Sequence, residues 1–529
     1  MTVGYLAVVA CLIFRGLAQE PQPSIVYPDV ESNEESCRSQ ARDNDGAALL
    51  QVPQSRRDSS LEQAEDHVND REACAALKNE GTSFTIDVKV GSNAQTFSLV
   101  ADTGSNSMII PSCLCQTRGS CKPGGRCYSA KDDSSFKLYV HGKKKQAVAE
   151  TLSFGSGDIA AIAAQDKVRI SNLTTVMKDG ILLMVDNALR FDTEKFEGIL
   201  GLGPPLKKLA GKSQSTSMHL TEFPHEVKTI DIHGKKPECP SFLEQAGIDR
   251  FSMCFNDQAG GVLRFGGVAH EKPLPSIGQY HWGVGLEGIS VGEGHATQKL
   301  KVCTADSMKD GQVTPCGMLP DSGTTLIMGP ADQVAQLLES ICDGWERCLK
   351  AHDNDGGDDF DPDSDLELPT KAQRAKDLLL DCDSWLNEGD GLGELPPIKF
   401  HIGHHGAGSQ VLSLEAVNYV FKVGSGSCKA AFGPLSYETK QNGPVWIMGL
   451  PLFFGYHVTY DLKSDPPSVG FTSVQDSPCT PCAKKTAELV DTKLNADIFT
   501  SSAMRAKMQH SPREAFGPPR MPTFAYGEI

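Results

Sequence analysis

The sequence predicts a mostly-β protein too large for one small barrel, and two observations predict it. Short strand-like runs separated by Gly-rich turns recur from about residue 81 to 472. Within that span a motif built around an aspartate occurs twice, each copy between apolar runs. Helical periodicity is sparse by comparison.

The first strand signal is the alternation of Phe84, Ile86, Val88 and Val90 with polar neighbours, the period of a half-buried strand. Further β-type runs fall at 96–100, 251–254, 262–265, 398–402 and 458–460. The best helical stretch is 331–341, where Val334, Leu337, Leu338 and Ile341 share one face.

The ends of the chain differ in texture. An apolar run at 6–14 followed by Gly16-Leu17-Ala18 reads as a signal peptide over 1–18, although its start carries no basic side chain. Residues 19–80 are polar, acidic and poor in aromatics, so a propeptide or disordered leader is expected there, with Arg56-Arg57 as a candidate processing site. The stretch 353–367 is rich in Asp without the offsets of a calcium-binding loop, and it is expected to be a solvated part of an insertion near 343–381. The tail 473–529 has little apolar period and is expected to be disordered.

Composition narrows the class of function. The chain of 529 residues has a formal net charge of −17, which argues against nucleic acid as a partner, because a phosphate backbone demands a basic patch. No later stretch is apolar for long enough to span a bilayer. Of the 17 cysteines, Cys11 lies within the expected signal, and the even number left suits an oxidising, secretory compartment. The expected product is monomeric, without a transmembrane anchor, in an acidic lumen or outside the cell.

The repeat carries the chemistry. One copy reads FSLVADTGSNSMIIPS at 97–112, and the other reads GMLPDSGTTLIMGP at 317–330. Downstream of each stands an apolar-apolar-Gly element, FEGILGLG at 196–203 and VWIMG at 445–449. Asp102 and Asp321 each follow a strand, and Gly104 and Gly323 let backbone approach them closely. Thr103 and Ser322 are placed to hydrogen-bond across the copies, and Ser105 and Thr324 to bond the outer carboxylate oxygens. Two such loops face to face would share one proton between their carboxylates, because like charges that close do not both ionise easily. A water held between them would attack a peptide carbonyl, with one carboxylate as base and the protonated partner as acid. No cofactor is needed. A lone D-T-G is weak; two copies in matched contexts are specific.

On these motifs the chain resembles the pepsin-like aspartic proteases over roughly 81–472. The resemblance implies an all-β, bilobal fold with the cleft between two related lobes, at 81–275 and 276–472, and polypeptide substrates. It places a flap at 152–158, LSFGSGD, and implies substrate contacts from Val100, Phe154, Gly155, Ser156, Phe196, Ile199 and Ile447, with apolar residues preferred around the scissile bond. It implies the bridges Cys303–Cys316 and Cys382–Cys428. The cluster Cys113, Cys115, Cys121 and Cys127 resembles the cysteine-rich insertion of the nepenthesin-like branch. Its spacing is no familiar zinc pattern, so disulfides are expected, with the pairing left open. The histidines at 401, 404 and 405 read as an exposed turn, so no metal site is expected. Asn172-Leu173-Thr174 is a glycosylation sequon.

The chain departs from the family pattern in places. Phe154 stands where the flap tyrosine is expected, Ile109 where a tryptophan is frequent, and Glu197 where Asp usually precedes Gly-Ile-Leu-Gly. The leader lacks the basic character by which many family propeptides neutralise the dyad. Two rival readings are a catalytically weak member acting as a binding or inhibitor protein, and a glycosidase with paired carboxylates. The first usually loses an Asp or its Gly, and the second does not explain the matched loops.

Overall fold

A computed structural model describes residues 72–482, apart from 122–124, 142–145, 155–156, 188–195, 206–215, 219–227, 232, 234–239, 257–258, 279, 356–368, 405–407 and 424–426. The expected signal peptide, most of the leader and the tail beyond Cys482 lie outside the described residues, as do Gly155 and Ser156.

Among the described residues strands dominate, in one 16-stranded, one 9-stranded and one 2-stranded sheet. In the strand Phe84–Val90 the alternating apolar residues are all buried, as their period demands. It pairs antiparallel with Gln95–Asp102, which carries the first aspartate to its C-terminal end. The second aspartate follows the strand Cys316–Pro320 in the 9-stranded sheet.

The pairing around the two aspartates is the same. Gln95–Asp102 runs parallel to Gly198–Gly201, which runs antiparallel to Met108–Pro111. Cys316–Pro320 runs parallel to Gly443–Met448, which runs antiparallel to Ile327–Gly329. Each aspartate-bearing loop therefore emerges beside its own apolar-apolar-Gly element.

The boundary expected near 275 does not divide the sheets. Tyr456–Asp461, from the second half of the chain, pairs with Arg250–Cys254, and Ser468–Ser473 pairs with Leu274–Pro275. These strands bridge the two halves, and strand pairing leaves no trace in linear composition.

Two expectations need correction. The stretch 19–80, read as leader, ends in the strand Ala73–Asn79, which pairs with Gly261–Phe265. Its inward residues are Ala73, Ala75 and Leu77, too small to register as an apolar alternation. The tail read as disordered from 473 is tied down to Cys482: Cys254 bonds Cys479 and Cys74 bonds Cys482. Covalent anchoring of a polar stretch is invisible to hydrophobic periodicity. Of the stretch 353–367, expected to be solvated, only 353–355 lies among the described residues, at the end of a helix. Glu346–Asp355 and Lys371–Leu380 are helices that flank 356–368 and pack with the predicted helix Ala331–Asp343. Thr370 caps Lys371–Leu380 by accepting from Gln373 N–H, and Ala372, Ala375 and Leu379 face inward. Trp345 and Trp385 meet edge to face beneath them, and Cys342 bonds Cys348.

The cysteine-rich segment forms two nested bridges, Cys113–Cys127 around Cys115–Cys121. Cys303 is joined to Cys316, and Cys382 to Cys428. The segment ends at Tyr128, whose hydroxyl donates to Asp166 at 2.5 Å. Asp166 is only 1% exposed, and Ser135 Oγ and Lys167 N–H also donate to it. Tyr128→Phe leaves a buried carboxylate one donor short, and chemical denaturation is expected to show a loss of about 2 kcal/mol. An unchanged midpoint would show that Asp166 does not depend on this bond.

Candidate active site

The structure brings the two aspartate loops into contact. Thr103 N–H donates to Ser322 Oγ at 3.0 Å, and Ser322 N–H donates to Thr103 Oγ1 at 3.0 Å. Each hydroxyl then donates to a strand-end carbonyl of the other loop: Thr103 Oγ1 to Pro320 O at 2.9 Å and Ser322 Oγ to Ala101 O at 2.6 Å. Both residues are buried, so these four bonds face no competition from water.

Beneath this clasp lies an aromatic group that the sequence reading did not single out. Tyr460 stacks on Phe251 at 4.7 Å and lies 5.1 Å from Trp282, and its hydroxyl donates to Pro320 O at 3.1 Å. Trp282 in turn donates Nε1–H to Leu202 O at 2.9 Å. No repeat marks these residues in the sequence.

Each carboxylate is held by its own loop in the same way. Asp102 Oδ1 accepts from Gly104 N–H at 2.8 Å and Oδ2 from Ser105 Oγ at 2.5 Å. Asp321 Oδ1 accepts from Gly323 N–H at 2.8 Å and Oδ2 from Thr324 Oγ1 at 2.5 Å. The glycines are required by close approach. A Cβ on Gly104 would lie 2.6 Å from Asp321 Cγ, and one on Gly323 would lie 2.3 Å from Asp102 Oδ1. Each loop thus packs its glycine against the opposite carboxylate, which places the two carboxyl groups side by side.

Asp102 is 8% exposed, and Asp321 is half-buried. Burial, reinforced by the facing Asp321, holds the Asp102 carboxyl well above the usual carboxylate range, against the lowering effect of Ser105 and Gly104.

The predicted substrate-contacting residues fall in different places. Val100 lies two residues before Asp102 on the same strand face, with Ile199 as its cross-strand partner. Ile199 belongs to an apolar cluster with Ile109, Leu152 and Ile159, and the last two lie in the hairpin formed by Gln146–Phe154 and Gly157–Ile170. Phe154 is the last residue of its strand, opposite Gly157. Phe196 is half-buried just before Gly198–Gly201. Ile447 lines a cavity of about 100 Å³ on the other side of the dyad, with Thr103, Gly104, His281, Trp282, Leu319, Pro320, Asp321 and Tyr437. A larger cavity of about 1430 Å³ lies elsewhere, around Cys74, Arg264 and His270, and neither aspartate lines it. Asn172 is exposed in the turn between Gly157–Ile170 and Leu173–Asn187.

Glu197 has a local task. Its carboxylate accepts from Ser98 N–H at 2.8 Å and pairs with Arg126 of the cysteine-rich segment at 2.6 Å.

Comparison with known proteins was made on the sequence. The family model described as eukaryotic aspartyl protease matches residues 83–474. A protein named renin from Echis ocellatus is 22% identical over 422 residues, covering 77% of this chain and 85% of that protein. Napsin-A from Mus musculus is 24% identical, covering 77% and 81%. Cathepsin D from Chionodraco hamatus is 23% identical, covering 74% and 80%.

The electrostatics of Asp102 have a consequence for stability that is independent of turnover. A carboxyl whose folded pKa is raised stabilises the fold when protonated, and that stability is lost as pH rises through the folded value. Asp102→Asn removes the buried charge, so its Tm is expected to exceed that of the wild type at neutral pH by about 2 °C or more and to converge on it in acid. A difference that is constant across pH would contradict the raised value.

Proposed function

Because the chain belongs to the eukaryotic aspartyl protease family, we propose that it is an endopeptidase that hydrolyses polypeptides with water activated between Asp102 and Asp321. The observation that carries this reading is the reciprocal packing of the two loops, which sets two supported carboxylates against each other. The all-β, bilobal fold of the family supplies the cleft, and residues 81–275 and 276–472 are read as its two lobes.

In the mechanism that this geometry supports, Asp102 holds the proton of the pair, since burial favours its neutral form. Asp321 takes a proton from the water as it attacks the peptide carbonyl carbon. Asp102 hydrogen-bonds the carbonyl oxygen and stabilises the charge that develops there. The tetrahedral species then collapses, the C–N bond breaks, and the leaving nitrogen takes up the proton that Asp321 received from the water, which returns Asp321 to its ionised form. Ser105 and Thr324 hold the outer carboxylate oxygens, so the inner oxygens keep their orientation through the cycle.

Val100, Ile199 and Phe196 support an apolar subsite beside Asp102, with the hairpin 146–170 over it. Phe154, Gly155 and Ser156 are read as its tip, and Ile447 as part of the opposite wall. The disulfides, the expected signal peptide and the exposed sequon at Asn172 support a monomeric, glycosylated product of the secretory pathway that works in an acidic lumen or outside the cell.

The test is cleavage of a peptide library at acidic pH, with and without a statine inhibitor that mimics the tetrahedral species. Inhibitor-sensitive cleavage is expected, and Asp102→Asn and Asp321→Asn are each expected to lose at least about 10³-fold in kcat while remaining folded. A folded wild type that binds the inhibitor without cleaving any peptide would instead identify a binding protein.

The pH–rate profile should fall as pH rises through neutrality, because loss of the shared proton removes the acid. A plateau extending beyond about pH 8 would contradict that picture. The library should also show broad acceptance of Leu, Phe and Met before the scissile bond, since an apolar pocket separates such sizes by only about 1–3 kcal/mol. A strict requirement for a charged residue there would remove Val100 and Ile199 from the subsite.

A further inference from the structure

His281 stands in the wall of the 100 Å³ cavity beside the dyad, in company with Gly104 and Asp321. Its position is fixed from both sides. The next residue, Trp282, is anchored through Nε1–H to Leu202 O, and Gly283 N–H donates to the His281 carbonyl at 2.8 Å. His281 shares the wall of this small cavity with Asp321 and Gly104, and both favour the imidazolium. Among the described residues no other imidazole lines this cavity, and neither a lysine nor an arginine does.

We propose that His281 is a third titratable group of the active site, an electrostatic partner of Asp321 whose protonation favours the singly charged dyad over the fully neutral one. This inference rests on the peptidase reading for its effect on rate, but the pairing of His281 with Asp321 is measurable without turnover.

The sign follows from the charges. An imidazolium against Asp321 offsets the negative charge of the monoanionic pair, so more acid is needed to add the second proton. The dyad therefore keeps its working protonation state to lower pH. Burial holds the imidazole below its ordinary value, against the pull of Asp321 and the Gly104 backbone. The ring therefore gains its proton on the acid side of the ordinary imidazole range. The other titratable groups around it are few. Asp102 lies across the dyad at the end of the strand Gln95–Asp102, Tyr437 comes from the stretch before Glu438–Thr439, and Tyr280 is its chain neighbour. Neither tyrosine supplies a charge in the acid range.

Two measurements test the proposal. The first is the pH profile of kcat/KM for the wild type, His281→Phe and His281→Gln. Both variants are expected to move the acid limb upward by about 1 pH unit, which is a tenfold loss well below the limb. A merely structural role would lower the whole profile without moving the limb, and active variants whose acid limb stays in place overturn the proposal. The second is NMR titration of the His281 ring in the full-length protein, its signal assigned by its loss in His281→Phe. Asp321→Asn is expected to lower the His281 pKa, because it removes the charge that favours imidazolium. An unchanged value overturns the pairing whether or not the protein cleaves peptides. A wild type without activity would defeat the peptidase reading alone, and the NMR titration would still decide whether His281 senses Asp321.

Discussion

The reciprocal pair of hydrogen bonds between Thr103 and Ser322 is the constraint on which the rest of the site depends. Each residue presents a backbone N–H to the other's hydroxyl, and each hydroxyl donates a hydrogen bond to a carbonyl on the opposite side. All four bonds are inside the protein, so breaking one leaves a buried donor or acceptor without a partner. The clasp fixes the separation of the strand ends, and the aspartates one residue earlier in each loop inherit that separation. Two carboxylates would otherwise move apart. Their mutual repulsion, and the cost of burying Asp102, are met by rigid loops and local donors.

The near-symmetry of the two halves stops at the loops. Asp102 is more buried than Asp321, Tyr460 of the aromatic trio with Phe251 and Trp282 contacts the clasp from one side, and among the described residues His281 has no counterpart in the cavity it lines. An exactly symmetric pair would have no reason to put its proton on one carboxyl rather than the other. The asymmetry comes from what surrounds the repeat, not from the repeat itself.

This distinction explains what was legible in the sequence. The Asp-Thr/Ser-Gly loops and their Gly-terminated partners could be read because close backbone approach and reciprocal hydrogen bonding demand particular residue types at short range. The helix at 331–343 was legible because large apolar residues mark its face. The strand 73–79 and the helix 371–380 were not, because alanine supplies much of their buried face and gives little hydrophobic contrast. Tyr460 and His281 meet the loops through tertiary packing alone, more than 100 residues from at least one of the aspartates, and no local pattern announces them. The two halves also exchange strands, so a boundary drawn along the chain cuts through a sheet that the fold keeps whole.

The bond between Cys74 and Cys482 brings the ends of the described chain together, with Cα atoms 5.6 Å apart. Everything between them, including both aspartate loops, forms one covalent ring of backbone. A pulling force applied through the residues before 74 and after 482 would pass across that sulfur bridge and bypass the ring, so the clasp between Thr103 and Ser322 would carry no mechanical load. Attaching this protein by either end, to a surface or to another domain, therefore leaves the geometry of its cleft unloaded for as long as the bridge is oxidised.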